Sequence, residues 1–293
     1  MNKNLGVIDI GGTTIKFALW KNGELFPGEV CKTPADLDTF YQIIERQIQI
    51  MTKQCSLSGI AISSPGAVNK ASGVIEGASA IPYIHHFPIQ QALEERLQLP
   101  VSIENDANCA ALAEMEEGAG KNSNSLIFLV IGTGVGGSVI IDRQIWHGAH
   151  LFGGEFGFML AEDNLTISNV LSPVSMAQRY NKKSKQILTG EQIFEQSKLG
   201  DEEAEKEVER FFGCLSKTIY NLQYSFDPEK IIIGGAVSNN LDLLPRVNEQ
   251  IQELRKKVGI ASITPAVAVC EYRGAANLRG AVVDFTQSFS EGD

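Results

Sequence analysis

Leu129-Val130-Ile131-Gly132-Thr133-Gly134-Val135-Gly136-Gly137-Ser138-Val139-Ile140-Ile141 is the stretch that decides the fold. An apolar run enters a turn in which no side chain is larger than valine, and a second apolar run leaves it. Glycines there permit φ > 0 and let a ligand approach the main chain. Successive N–H groups in such a turn can form an anion-binding nest. Gly132, Gly134 and Gly137 satisfy the G-x-G-x-x-G pattern of dinucleotide sites, but that pattern needs a helix directly after the glycines. Ser138-Val139-Ile140-Ile141 is β-branched and strand-like instead. The stretch predicts strand, turn, strand, with Gly132, Thr133, Gly134, Gly136 and Gly137 holding phosphate at the tip.

The same pattern occurs once before. Leu5 to Ile10 reads as a buried strand, Gly11-Gly12-Thr13-Thr14 as a turn, and Ile15-Lys16-Phe17-Ala18-Leu19-Trp20 as the return strand. Asn22-Gly23 then suits a type I′ hairpin turn. One supersecondary unit used twice predicts two phosphate hairpins facing each other. That is the α/β, actin-like (ribonuclease H-like) ATPase fold, with two lobes and a central cleft. Helical periodicity over 36–53, 88–97, 202–226 and 241–257 alternates with apolar strands at 57–63, 101–104, 230–233 and 266–270. Met176-Ala177 and 192–198 also read as helical, and a last helix spans about 274–285. The glycine stop at Gly118-Ala119-Gly120 marks the lobe boundary. Residues 1–119 form the small lobe, joined by the last helix (274–293), and residues 120–273 form the large lobe.

Composition narrows the function. The chain has 293 residues, 43% hydrophobic and 20% charged, enough for a core in each of two lobes. A net charge of −10 argues against a nucleic-acid or anionic membrane surface. A phosphate ligand must then be held by local backbone amides or a metal. Cys31, Cys55, Cys109, Cys214 and Cys270 are scattered and odd in number, which predicts reduced thiols in a cytoplasmic protein. The start has no signal-peptide design, and no apolar run approaches the ~20 residues of a membrane span.

Chemistry concentrates at three places. Asp9 ends a buried strand, where a carboxylate is expensive unless compensated; Mg²⁺ on nucleotide phosphates, reached through water, would compensate it. Thr13 and Thr133 offer hydroxyls beside two of the three strand-end glycine pairs, the third being Gly234-Gly235. No G-x-x-x-x-G-K-[ST] is present, which excludes a P-loop. Glu104-Asn105-Asp106-Ala107-Asn108 lies where a strand enters a helix, the edge at which α/β proteins bind ligands. Asp106 is either a helix cap or the base that takes a proton from an attacking hydroxyl. Asn105 offers both donor and acceptor to a hydroxyl-rich ligand, whereas Asn108 and Glu114 read as structural. Glu155, in the glycine-rich run 148–157, is a further sugar-hydroxyl acceptor. An Asp106/Glu155 pair also matches a glycosidase, but the glycine hairpins would then have no role.

The chain resembles the ROK family of bacterial sugar kinases. The resemblance rests on Asp9-Ile-Gly-Gly-Thr-Thr-Ile-Lys16, Ser64-Pro-Gly-Ala67, Glu104-Asn-Asp-Ala-Asn108, Ile131-Gly-Thr-Gly-Val-Gly-Gly137, Gly153-Gly-Glu-Phe-Gly157 and Ile233-Gly-Gly235, in the family's order. It implies ATP and Mg²⁺ as cofactors and transfer to the 6-hydroxyl of a hexose. It implies Asp106 as base; Asn105, Glu155, Gly66 and Ala80 at the sugar; and Asp9, Gly11, Gly12, Thr13, Thr14 and Lys16 with the second hairpin at the nucleotide. Gly234 and Gly235 lie near the adenosine in that scheme, and a homodimer is expected.

Two departures bear on the substrate. Where the family carries a histidine that binds sugar and a structural zinc, this chain has Phe158, and the family's cysteine-rich zinc loop is replaced by Leu160-Ala161-Glu162-Asp163-Asn164-Leu165. No zinc site is expected. The sugar loop reads Gly77-Ala78-Ser79-Ala80-Ile81 where the family often has asparagine. Loss of polar grip at the anomeric end favours a β-glucoside such as cellobiose, or glucose itself. Alternatives are an N-acetylmannosamine or fructose kinase, a non-catalytic sugar sensor, or an acyl kinase that would not need Asn105 and Asp106.

Overall fold

In the computed structural model, which describes residues 3–184 and 186–289, β1 (Leu5–Ile10) turns into antiparallel β2 (Thr14–Lys21). Asn22 and Gly23, both at positive φ (55° and 83°), return the chain into β3 (Glu24–Lys32), as a type I′ turn requires. Next come α1 (Leu37–Thr52), β4 (Gly59–Ser64), the small hairpin of β5 (Ala67–Asn69) and β6 (Val74–Glu76), α2 (Ile89–Leu97), β7 (Val101–Asn105) and α3 (Asp106–Glu116). A second series follows: β8 (Leu126–Ile131), β9 (Val135–Ile141), β10 (Gln144–Ile145), α4 (Ile167–Leu171), α5 (Pro173–Lys183), α6 (Gly190–Lys198), α7 (Glu202–Phe226), β11 (Lys230–Gly234), α8 (Leu243–Val258) and β12 (Val267–Val269). The last helix is α9 (Ala276–Ser288). These elements group into two units. Unit 1 is Met1–Glu117, Gly148–Phe152 and Gly274–Asp293; unit 2 is Gly118–His147 and Gly153–Arg273.

Unit 1 holds a five-stranded sheet in the order β3-β2-β1-β4-β7, with β4 parallel to β1 and β7 parallel to β4. β1 is buried along its whole length, as a central strand covered on both faces must be. Its period of two sends Ile8 and Ile10 to a face with Phe40, Ile44 and Ile48 of α1 and Ile89 and Leu93 of α2. Leu5 and Val7 go to the other face, with Cys109 of α3 and Leu278, Ala281, Val282 and Phe285 of α9. Asp9 has the same parity as Leu5 and Val7. α9 meets α3 at Gly280, where an added Cβ would stand 1.6 Å from the Cys109 carbonyl oxygen.

Unit 2 repeats the plan. Its sheet runs β10-β9-β8-β11-β12, with β9 antiparallel to β8 and with β11 and β12 parallel. The duplication inferred from two glycine turns is therefore a duplication of topology: strand by strand, the two orders correspond. β9 starts at Val135, paired with Ile131 directly across the turn, so no helix follows the glycines. α7 packs Phe211, Phe212, Leu215, Ile219 and Leu222 against a core that includes Ile127, Leu129, Ile231 and Ile233.

Two local expectations change. Residues 173–183 are helical well beyond Met176-Ala177, because Ser172 caps α5 and Pro173 takes its first turn. Asn105, not Asp106, is the N-cap of α3. The five cysteines are free thiols. Among the described residues no helix is long and apolar enough to cross a membrane.

Gly280→Ala puts a methyl group into the Cys109 carbonyl. It is expected to destabilise the protein by roughly 1–3 kcal/mol, the scale of overpacking in a tight contact. Urea denaturation with an unchanged m-value checks this, and wild-type stability would remove Gly280 as the crossing constraint.

Candidate active site

In unit 1 the parallel strands β1, β4 and β7 end at one edge. The register pairs Asp9 with Ser63, Ser63 with Glu104, and Ser64 with Asn105. Asp9 thus has in-register neighbours on both sides, Lys16 on β2 and Ser63 on β4. Lys16 Nζ donates to Asp9 Oδ2 (3.0 Å), and Ser63 Oγ donates to Oδ1 (2.9 Å). From the far end of the sequence, Asn277 Nδ2 on α9 also donates to Oδ1 (3.0 Å). Asp9 is only 5% exposed, and these donors offset the desolvation that would otherwise make it untenable.

The adjoining turn is closed by the Gly11 amide donating to Thr14 O (2.9 Å). Thr33 binds it from outside, its hydroxyl donating to Gly11 O (2.6 Å) and its amide to Thr13 O (3.0 Å). Gly12 and Thr13 are exposed, and their amides have no partner among the described residues. They form a ready pair of anion donors.

At the same edge β7 breaks into α3. Asn105 Oδ1 accepts the amides of Ala107 (2.9 Å) and Asn108 (3.2 Å), and its Nδ2 donates to Gly66 O (3.0 Å). Glu104 is buried beneath, its Oε1 accepting from the Asn105 amide (2.6 Å) and Asn108 Nδ2 (2.9 Å). Asp106 follows in the first turn of the helix, half-buried. Burial pushes its carboxyl above the usual carboxylate range; the Ala107 amide opposes the shift and the negative Asp9 adds to it. Gly66 sits at φ 101°, and an added Cβ would stand 2.7 Å from His85 Cε1. A Cβ on Gly12 would meet Ala80 Cβ at 2.9 Å. Unit 1 therefore brings together Asp9, Lys16, the Gly11-Gly12-Thr13-Thr14 turn, Gly66, Ala80, Asn105 and Asp106.

Behind this edge Lys70 Nζ donates to both oxygens of Asp284 (2.7 and 2.8 Å) and to Ile103 O (3.0 Å). Burial pushes Asp284 up to about 6, against the Lys70 charge and with the help of Glu104.

Unit 2 carries the second turn. Gly132 donates to Gly134 O (2.9 Å), while the Thr133 and Gly134 amides have no partner among the described residues. An added Cβ on Gly132 would meet nothing within 4 Å, so the turn's outer side is open. Buried Ser172 joins this turn to a helix: its hydroxyl donates to Thr133 O (2.6 Å) and accepts the Val174 amide (3.2 Å) at the start of α5. Ser168 Oγ on α4 accepts the Val135 amide (3.0 Å). The turn is thereby tied to a helix N-terminus, whose partial positive charge favours anions.

Gly136 and Gly137 lie in β9, opposite Val130 and Leu129. The loop bearing Glu155 packs closely on that strand because glycines leave room: an added Cβ would stand 2.6 Å from the Phe156 ring and 2.9 Å from Gly154 O at Gly137, 2.7 Å from Gly137 O at Gly154, and against Val135 O at Gly157. Glu155 is exposed between buried Gly154 and Phe156. Gly234 ends β11 beside Val130, and Gly235, at φ 84°, abuts the Ile131 carbonyl next to the turn.

Sequence reasoning missed Thr33, Ser63, Ser168, Ser172 and Asn277. The Ser172-Pro173 pair carried a helix-start signal; Asn277 carried none. Among the described residues no group of three or more His, Cys, Asp or Glu could hold a metal ion.

Comparison with known proteins follows the same lines. The sequence profile of the ROK family matches residues 5–287. The chain is 32% identical over 300 residues to a beta-glucoside kinase of Klebsiella pneumoniae, covering 99% of this chain and 98% of that one. It is 29% identical over 297 residues to a beta-glucoside kinase of Listeria monocytogenes, covering 97% of each. Among solved structures, a ROK family protein from Streptococcus pneumoniae in complex with sucrose superposes with a TM-score of 0.90 at 35% identity, over 98% of this chain and 99% of that one.

The Asp284 shift has a defined sign. A carboxyl raised from 3.8 to about 6 binds its proton more tightly when folded, so it stabilises below about pH 4 and that contribution is lost as pH rises through 6. Unfolding free energies of wild type minus Asp284→Asn are expected to fall between pH 4 and pH 7. A flat difference would mean that Asp284 titrates normally.

Proposed function

The chain belongs to the ROK family, which has the actin-like ATPase fold, and from that premise we propose that it is an ATP-dependent sugar kinase. It transfers the γ-phosphate to the 6-hydroxyl of a hexose or hexoside, with a β-glucoside such as cellobiose, or glucose itself, as acceptor. The observation that carries this is Asp106. It is a carboxyl with a raised pKa, at the first turn of a helix, on the same sheet edge as a turn with free amides. Phosphoryl transfer asks the protein for positioning, charge stabilisation and one group that accepts the hydroxyl proton.

Each residue has a task in that reaction. Asp106 accepts the 6-hydroxyl proton as the oxygen attacks phosphorus. Asn105, pinned through Gly66 and its own helix cap, orients the sugar, as do Gly66, Ala80 and Glu155. The free amides of Gly12 and Thr13, and of Thr133 and Gly134, receive phosphate oxygens, with Gly11, Thr14, Gly132, Gly136 and Gly137 shaping the turns. Gly234 and Gly235 border the adenosine. Mg²⁺ supplies charge neutralisation on the phosphates when bound. Asp9 Oδ2 keeps an acceptor position beyond its bond to Lys16, which suits contact through a metal-bound water.

Two observations favour a glucoside. Beta-glucoside kinases stand among the relatives at 29% and 32% identity over nearly full length. Phe158, three residues past Glu155, is 69% exposed and offers an apolar surface rather than a polar grip. The enzyme acts as a homodimer, which light scattering on the purified protein would read.

Asp106→Asn is expected to lower kcat by at least ~100-fold, the scale for removing a general base, with the fold intact by circular dichroism. In the wild type, kcat/KM falls on the acid side with a limb above the ordinary carboxylate range. ADP release should be robust with cellobiose or an aryl β-glucoside. Good turnover of glucose with none of cellobiose would overturn the glucoside assignment, and sugar binding without ADP release would overturn the kinase.

A further inference from the structure

The segment between β6 and α2 carries Ala80, and it is not held by regular structure. Residues 77–80 lie outside helix and strand, and Ala78 and Ala80 are exposed. Its one side-chain anchor among the described residues is Ser79. The Ser79 hydroxyl accepts the Ile81 amide (3.1 Å) and hydrogen-bonds His85 Nε2 (2.7 Å). His85 is 7% exposed, and its Nδ1 is buried with no hydrogen-bond partner. The bond to Ser79 is therefore the ring's side-chain hydrogen bond among the described residues. Burial lowers the pKa of His85, against the opposing pull of the Glu76 and Ile75 backbone.

The carbon next to Nε2 lies against Gly66, just past β4. His85 Cε1 fills the space that a side chain on Gly66 would take, 2.7 Å from its Cβ position. Gly66 in turn receives the Asn105 amide through its carbonyl. Ala80, one residue from Ser79, lies against Gly12 of the phosphate turn. One buried imidazole thus stands between the segment bearing Ala80 and the peptide that fixes Asn105.

We propose that His85, acting through Ser79, is a positioning residue that orders residues 77–81 for sugar binding and so sets affinity for the acceptor sugar. The assignment rests on the sugar-kinase reading. Neither His85 nor Ser79 takes part in proton transfer or phosphate contact.

The test uses the full-length protein and the variants Ser79→Ala, His85→Phe, His85→Gln and the Ser79→Ala/His85→Phe double variant. Gln carries a polar atom at a reach similar to that of Nε2; Phe fills the site without one. Losing the Ser79–His85 hydrogen bond is expected to raise the acceptor-sugar KM by about 5- to 10-fold in His85→Phe, and by at least that in Ser79→Ala, which also frees the Ile81 amide. The KM for ATP and kcat should stay within about twofold. The double variant should be no worse than Ser79→Ala alone, which already removes the hydroxyl's bond to His85 together with its bond to the Ile81 amide. His85→Gln should recover most of the sugar affinity. Hydrogen exchange of the Ile81 amide, which needs no turnover, should accelerate in His85→Phe and recover in His85→Gln.

A sugar KM unchanged in Ser79→Ala, additive losses in the double variant, or His85→Gln as poor as His85→Phe would each overturn the proposal. If His85→Phe does not fold, Ser79→Ala and His85→Gln still decide it. If the wild type phosphorylates no sugar, the kinase reading fails. Ile81 exchange then still reports whether His85 orders the segment.

Discussion

A carboxylate at the end of a central strand, out of contact with water, must be given donors, and unit 1 is built so that Asp9 receives them. Its neighbours in register are a lysine and a serine, and the amide of Asn277 reaches it from α9. Because α9 supplies that donor, the last helix belongs to the same unit as the first strand. α9 can lie close enough only because Gly280 has no side chain against α3. α3 in turn carries Asp106, so the chemistry at the sheet edge depends on a glycine buried in a helix crossing.

The acidity of the chain imposes a second constraint. A net charge of −10 argues against a general positive surface that would hold a polyanion. Each unit presents instead a glycine-threonine turn whose outward amides are left unpaired, braced from behind by side-chain hydroxyls: Thr33 in unit 1, Ser168 and Ser172 in unit 2. Fixed main-chain dipoles of this kind need no reorganisation when charge develops on a ligand, which is the condition for electrostatic stabilisation of a transition state. Both turns occupy the same topological position, between the first two strands of a five-stranded sheet.

The strand–helix elbow at Asn105 and Asp106 shows how structural and chemical roles divide between adjacent residues. Asn105 takes the capping role and Glu104 holds its amide from below, while Asp106 Oδ1 shares the Ala107 amide (2.8 Å) and its carboxyl stays half-buried. Burial there raises the pKa, the direction a proton acceptor at neutral pH requires. Asn105 carries a second amide hydrogen beyond its bond to Gly66, on the side of Asp106.

By itself, the sequence determined what is local. The glycine turns between apolar runs, the β-branched return strand after Gly137, the Asn22-Gly23 hairpin and the α7 periodicity were legible because turn chemistry and side-chain period act over a few residues. They sufficed for the repeated hairpin and the α/β class, and they singled out the clusters at Asp9 and Asp106, which the structure brings to one sheet edge. Tertiary structure alone decided which distant residues complete those clusters. Asn277 reaches Asp9 across 268 positions, Lys70 meets Asp284 across 214, and Gly280 faces Cys109. Asn105 rather than Asp106 caps α3, and His85 stands between Ser79 and Gly66. None of these has a sequence signature, because a hydrogen bond between remote segments depends on how strands register and helices cross, and that is set only when the whole core packs.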